Sequence, residues 1–241
     1  MKNVLVTGIM QGLGLQIAKN LLQKGYNVYG VSLKETDTLK ELEYLHPKQL
    51  TNIYCDLGNI DNSIDIIFNK VIGFNIPLYG FVNNAAIAYD DIISNLQYEP
   101  LLKMYQINVF SPMMITKYVI RNMLLHRTSG SIVHISSISV HTGYKGLAMY
   151  ASTKGALEAF SKTTAREWGE KGIRSNALVA GFMETSMSST LSKEQRDRIY
   201  KRTSLKIPTA VESVANMVEF LLSDNSRSVT GANVFVDSGT I

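Results

Sequence analysis

The sequence predicts a single-domain α/β fold, a doubly wound parallel sheet of about seven strands with helices on both faces. Three observations predict it. Short runs rich in Val and Ile recur along the chain, stretches of helical spacing separate most of them, and no linker, repeat or low-complexity segment interrupts the series. Near-continuous apolar strands are the habit of parallel sheets covered on both faces.

In chain order, strands are expected at residues 4–7, 28–31, 51–55, 79–82, 131–135, 174–179 and 233–236. Leu13, Ile17, Leu21 and Leu22 recur at helical spacing after the first strand, and Gly25 stands where that helix would stop. A second such face is Ile64, Ile67, Phe68, Val71 and Ile72. A third runs through Ala151, Leu157, Ala159, Phe160 and Ala165. These alternating units consume residues 1–241, so one domain is expected.

Composition narrows the function. Of 241 residues, 45% are hydrophobic and 18% charged, which suits a globular chain and excludes a disordered one. A net charge of +4 without a dense Lys/Arg tract gives nucleic-acid binding little support. The longest apolar stretches are broken by Asn, Pro, Lys or Arg, so no membrane span is expected. The single cysteine, Cys55, excludes an intrachain disulfide framework and points to a reducing, cytoplasmic setting. His46, His126, His134 and His141 show no metal-ligand spacing, so no metal site is expected. His134 alternates with buried strand positions and reads as a core residue. His141 reads as an ordinary loop side chain, with substrate contact as the lesser alternative.

Two clusters carry chemistry. The first strand runs into Thr7-Gly8-Ile9-Met10-Gln11-Gly12-Leu13-Gly14 and then a helix. A strand, a glycine turn and a helix N-terminus let backbone N–H groups approach a dinucleotide pyrophosphate, the Rossmann-type arrangement. The second cluster is Tyr150-Ala-Ser-Thr-Lys154, whose spacing puts phenol and ammonium on one helix face. A neighbouring ammonium favours the phenolate and lowers the phenol pKa, making a better acid–base. Tyr44 and Lys48 share the spacing, but Pro47 between them disfavours a helix. Context separates the pairs: the strand before Tyr150 ends in Ser136-Ser137, and the one before that ends in Asn83-Asn84-Ala85-Ala86. Ligands meet parallel sheets at such carboxyl ends.

Together these residues resemble the short-chain dehydrogenase/reductase family from end to end. The matches are Thr7-Gly8, Gly12 and Gly14, then Asn83-Asn84-Ala85, Asn108, Ser137 thirteen residues before Tyr150, and Tyr150-x3-Lys154. They continue through Gly181-Phe-Met-Glu-Thr185 and the closing Val229 to Gly239 segment, where the chain looks most like the 3-oxoacyl-[acyl-carrier-protein] reductases. The resemblance implies hydride transfer between a nicotinamide cofactor and a carbonyl carbon. Tyr150 would protonate the carbonyl oxygen, Lys154 would tune Tyr150 and bind ribose hydroxyls, Ser137 would bind the substrate oxygen, and Asn108 would hold a relay water. Gly8, Gln11, Gly12, Leu13, Gly14, Ser32, Lys34, Asp56, Leu57, Asn83, Ala85, Tyr150, Lys154, Met183 and Thr185 would bind the cofactor. Residues 183–205 would form a substrate lid, and the chain would assemble as a homotetramer.

Three positions depart from the family pattern: Ala86 and Val140 replace glycines, and Ala180 replaces a proline. They leave the chemical residues intact and bear on the substrate. At the end of the second strand Ser32 occupies the usual acidic position, Lys34 follows, and Glu35 comes late, which favours NADP over NAD. The substrate implied is a ketone, foremost a 3-oxoacyl group on an acyl carrier protein. Arg127 and Lys171, near the family's carrier-contacting basic sites, are expected at the cleft mouth. The alternatives are a dehydrogenase of a sugar, polyol or other secondary alcohol, and a catalytically silent nucleotide-binding scaffold.

Overall fold

The computed structural model describes residues 1–185 and 192–241. Among them, seven parallel strands form one sheet in the order β3-β2-β1-β4-β5-β6-β7. They are β1 Asn3–Thr7, β2 Asn27–Ser32, β3 Leu50–Tyr54, β4 Leu78–Asn83, β5 Gly130–Ser137, β6 Ile173–Ala180 and β7 Asn233–Val236. Every expected strand is present. β5 runs two residues past the expected end because Ser136 and Ser137 stay in register with Val179 and Ala180 of β6. β3 begins one residue early, where Leu50 pairs with Val28.

Period-two alternation sends neighbouring side chains into two cores. Val4 and Val6 join Ile17 and Leu21 of α1 (Gly12–Gln23) and Val214 and Val218 of the C-terminal helix Val211–Leu222. Leu5, between them, joins Ile53, Phe81 and Ile132 on the opposite face, under Ile115 and Val119. Burying each such side chain contributes roughly 1.5–3 kcal/mol. The register of β1 is therefore fixed, since a one-residue slip would exchange its two faces.

Helix α1 ends at the expected glycine: Gly25 adopts φ +80° and donates to the Leu22 carbonyl at 3.0 Å. Helix α2 (Asp37–Leu45) is capped by the Thr36 hydroxyl and stops before Pro47. Lys48 is thus off the helix that carries Tyr44. Helix α3 (Ile60–Ile64) widens into a π-helical turn at Asp65–Val71. Helix α4 (Tyr98–Tyr105) passes through a second wide turn, Gln106–Phe110, into α5 (Ser111–His126). Then follow α6 (Ser139–Thr142), α7 (Ala148–Trp168), α8 (Lys193–Arg202) and α9 (Val211–Leu222). Among the described residues no helix is long and apolar enough to cross a membrane.

Sheet order reverses between β1 and β4, and the crevice this leaves lies beyond the carboxyl ends of the strands. Tyr150, Lys154 and most of the expected cofactor residues line it, whereas Asn108 and Ser137 are not among its lining residues.

Candidate active site

The turn between β1 and α1 forms one wall. Gly8 donates to the Val31 carbonyl at 2.8 Å with φ +77°. A Cβ on Gly14 would lie 2.0 Å from the Gly8 carbonyl oxygen, so only glycine lets α1 start this close to the turn. The Asn84 amide donates to the carbonyls of Thr7 and Gly8 at 3.0 and 3.2 Å, and the Thr7 hydroxyl accepts from the N–H groups of Asn84 and Ala85. Helix α1 has no acid in its first turn and no side-chain cap from Gln11, and Gln11 to Gly14 line the cleft. Its leading N–H groups and positive dipole end fit a pyrophosphate.

The cleft has a volume of about 710 Å³. Ser32, Asp56 and Leu57 line one end, Ala85 and Ala86 the middle, and Tyr150, Lys154, Met183 and Thr185 the other. The Asp56 carboxylate is partly occupied by the Gly58 N–H at 2.8 Å. Two expected cofactor residues are not among those lining it. Asn83 ends β4 with its amide turned the other way, 3.3 Å from Nδ1 of the buried His134, and Asn84, the next residue, takes the cleft side. Lys34 lies exposed beyond Leu33, its carbonyl accepting from the Ser32 hydroxyl at 3.2 Å. Glu35 is paired with Lys40 at 3.2 Å.

The four expected catalytic residues come from three elements. Tyr150 and Lys154 share one face of α7, with the Lys154 Nζ 5.6 Å from the centre of the Tyr150 ring. Ser137 closes β5, and its Oγ accepts from the Ser139 N–H at 3.2 Å, leaving its O–H to donate. Asn108 sits in the wide turn between α4 and α5. Its amide clasps the Ile87 backbone from both sides, at 2.9 and 2.8 Å, and reaches the Thr153 hydroxyl at 3.2 Å. What the geometry gives Asn108 is the task of fixing the loop after β4 against α7.

The expected lowering of the Tyr150 pKa does not appear. Burial raises the phenol well above its ordinary value, with the Asp90 carboxylate adding to the effect. Burial acts on Lys154 in the opposite direction and lowers its ammonium to about 8. The phenol is protonated at neutral pH, the form that carbonyl reduction needs, and burial makes it a weaker acid than a free tyrosine.

Sequence comparison fits this geometry. The family model described as Enoyl-(Acyl carrier protein) reductase matches residues 8–240. The chain is 32% identical over 240 residues to the 3-oxoacyl-[acyl-carrier-protein] reductase of Escherichia coli K12, covering 99% of this chain and 96% of that one. The chain belongs to the short-chain dehydrogenase/reductase family. It is also 30% identical to an L-xylulose reductase of Caenorhabditis elegans, covering 99% of this chain and 95% of that one. A solved 4-hydroxyisoleucine dehydrogenase complexed with NADH shares the fold at 24% identity and a TM-score of 0.92, covering 100% of this chain and 98% of that one. This short-chain dehydrogenase/reductase is thus a nicotinamide-dependent oxidoreductase whose relatives act on different carbonyl compounds.

Other residues of this short-chain dehydrogenase/reductase take unexpected places. Arg127 follows α5 and Lys171 precedes β6, so both lie at the amino edge of the sheet. The eight residues of β5, at about 3.3 Å each, separate that edge from the cleft, so neither Arg127 nor Lys171 stands at its mouth within one chain. His141 pairs with Glu158 at 3.1 Å and packs edge-on against Phe235, which is a structural place rather than a substrate contact. Glu158 is buried on α7 and also accepts from Ser136 and from the Asn233 amide. Sequence reasoning missed this cluster, although a glutamate one turn after Lys154 beside Leu157 was the signal. Glu184, between Met183 and Thr185, accepts from the Tyr200 hydroxyl and lies 3.8 Å from Arg196, tying α8 to the cleft. Of the expected lid, residues 186–191 lie outside the described residues.

Proposed function

We propose that this oxidoreductase uses NADPH to reduce a ketone to a secondary alcohol, the ketone being a 3-oxoacyl group on an acyl carrier protein. The observation that carries the reductase reading is that the Tyr150 phenol and the Lys154 ammonium, 5.6 Å from its ring centre, line the same cleft as the glycine turn. The nicotinamide supplies the hydride. Tyr150 gives its proton to the carbonyl oxygen, the Ser137 hydroxyl donates to the same oxygen, and Lys154 supplies positive charge beneath the phenol. Asn108 holds the loop that closes the far side. Met183 and Thr185 would hold the carboxamide of the bound cofactor, and Asp56 would border its adenine, since all three line the cleft.

Two features support an acyl substrate. Ile87, Ala88 and Met183 give the cleft an apolar substrate end, and exposed Ile92 and Ile93 follow on the same loop as Ile87. The reductase of E. coli named for the carrier-bound reaction is among the relatives at full length. NADPH is favoured because Ser32 brings no carboxylate to the ribose end and Lys40 holds Glu35. A homotetramer is the assembly we assign, with Arg127 and Lys171 meeting a carrier only across a subunit boundary. A cytoplasmic setting suits a chain whose one cysteine is buried and free.

A second reading, reduction of a ketose, is favoured by one observation: the Asp90 carboxylate lines the cleft and acts on Tyr150, where it could accept from sugar hydroxyls. Steady-state kinetics with NADPH decide. A kcat/KM for an acetoacetyl carrier thioester at least tenfold above that for any ketose supports the first reading, and the reverse order supports the second.

A further inference from the structure

Four cations lie at the end of α8 and in the loop before α7, and none belongs to the catalytic set. Lys201 and Arg202 end α8, Lys206 follows, and Lys145 lies in the loop before α7. The Arg202 guanidinium stands over the Tyr144 ring at 5.7 Å, which brings the end of α8 against that loop. Lys206 adopts φ +58° and its ammonium donates to the Lys201 carbonyl at 2.8 Å, so it is folded back onto the same helix end. The loop holding Tyr144 and Lys145 is tied to the cleft wall, because the Gly146 carbonyl accepts from the Asp91 N–H at 3.0 Å, next to the cleft-lining Asp90.

Helix-end cations ordinarily answer the helix dipole, and Lys201 and Arg202 do that. Lys145 belongs to another element and has no such duty. All four are exposed, and among the described residues none is in an ion pair. Of the nearby acids, Glu184 is engaged with Tyr200 and Arg196, Asp91 with the Ile92 N–H and the Asn95 amide, and Asp197 lies one helical turn before Lys201 on α8. Asp90 alone faces inward, toward Tyr150. Four cations against Asp197 leave this rim net positive.

Resting on the ketone-reductase reading, we infer that this rim binds an anionic group carried by the substrate at the end remote from its ketone, with Arg202 as the specificity-determining residue. A ketone seated at Tyr150 extends its remainder past Tyr144 toward α8. A phosphoryl group or a carboxylate on that remainder meets the Arg202 guanidinium and the ammonium groups of Lys145, Lys201 and Lys206, and a neutral substrate forgoes this attraction.

The test compares S-acetoacetyl-pantetheine, its 4′-phosphate, and a 3-oxo acid with a distal carboxylate, all with NADPH. The wild type should show a KM at least about tenfold lower for the phosphorylated thioester than for the neutral one, at similar kcat. Lys201→Ala with Arg202→Ala should remove that difference and leave the KM of NADPH and of the neutral thioester within about twofold. Arg202→Lys should restore most of it. A gain confined to the phosphate identifies a carrier arm, a gain confined to the carboxylate identifies a free oxo acid, and both support anion recognition. Equal KM values for charged and neutral substrates, with ketone reduction intact, overturn the inference alone. Should no ketone be turned over, the reductase reading fails. Calorimetry of 4′-phosphopantetheine against pantetheine, under saturating NADP, then still reads the rim, and equal binding overturns it.

Discussion

The Lys154 ammonium donates to the Ile135 carbonyl at 2.9 Å while standing 5.6 Å from the centre of the Tyr150 ring. Strand β5 thereby holds the lysine beneath the phenol in place of a carboxylate. Lys154 is buried and in no ion pair among the described residues, so burial governs the pair: the phenol keeps its proton and the ammonium binds its own less tightly.

Tyr150→Phe removes the acid and little volume. Turnover should fall at least ~10²-fold, the scale of losing a positioned general acid, while cofactor binding and folding persist. Tyr44→Phe is the control, since Tyr44 is 82% exposed and Lys48 is off its helix. Comparable losses in both variants would remove Tyr150 from the mechanism.

Lys154 predicts two pH effects. Because its ammonium titrates near 8 instead of near 10.5, kcat/KM for reduction should decline above about pH 8 as the positive charge is lost. Stability moves the other way. Between those two values the unfolded chain binds more protons than the folded one, so raising the pH favours folding. The buried charge costs on the order of 3 kcal/mol below pH 8, relieved by about 10.5. Urea titrations of the cofactor-free protein and of Lys154→Met at both ends of this window should converge as pH rises. Parallel curves would show that Lys154 titrates normally.

Much of this was legible in the chain because one residue type in each case does one physical thing. Gly25 ends α1, alternation in residues 4–7 divides the two cores, and the glycine turn lies between strand and helix as expected. What escaped was direction and distance. Asn83 and Asn84 are chemically identical in the sequence, and only the pleat decides that Asn84 faces the cleft. Arg127 and Lys171 flank catalytic elements in sequence but sit at their far ends in space. The Tyr150 pKa was misjudged because pair spacing reports a neighbouring charge and says nothing of burial, which dominates here.

Gly14→Ala tests the turn. The added Cβ would meet the Gly8 backbone at 2.0 Å, a contact that no side-chain rotation relieves. The variant should lose cofactor binding and unfold at lower urea, by roughly 1–3 kcal/mol for an overpacked backbone site. Gly12→Ala is the milder companion: its Cβ would be 3.7 Å from Thr185, though φ is +56°. Equal tolerance of both substitutions would show that α1 does not pack as described.

Cofactor choice rests on what stands at the end of β2. Ser32 is 3% exposed, and its hydroxyl is used locally by the Lys34 carbonyl. Glu35 is drawn off by Lys40, so no carboxylate repels a 2′-phosphate there, while the Lys34 side chain is exposed within the same turn. NADPH should therefore give the higher kcat/KM. Lys34→Ala should weaken NADPH far more than NADH, because only NADPH brings the phosphate that this cation attracts. Ser32→Asp should reverse the preference by adding an acceptor for the ribose 2′-hydroxyl and a charge that repels the phosphate. Lys40→Ala, by releasing Glu35, should move the ratio modestly in the same direction. A wild type that prefers NADH tenfold would refute the reading of this turn, and the Ser32→Asp ratio would then show no reversal.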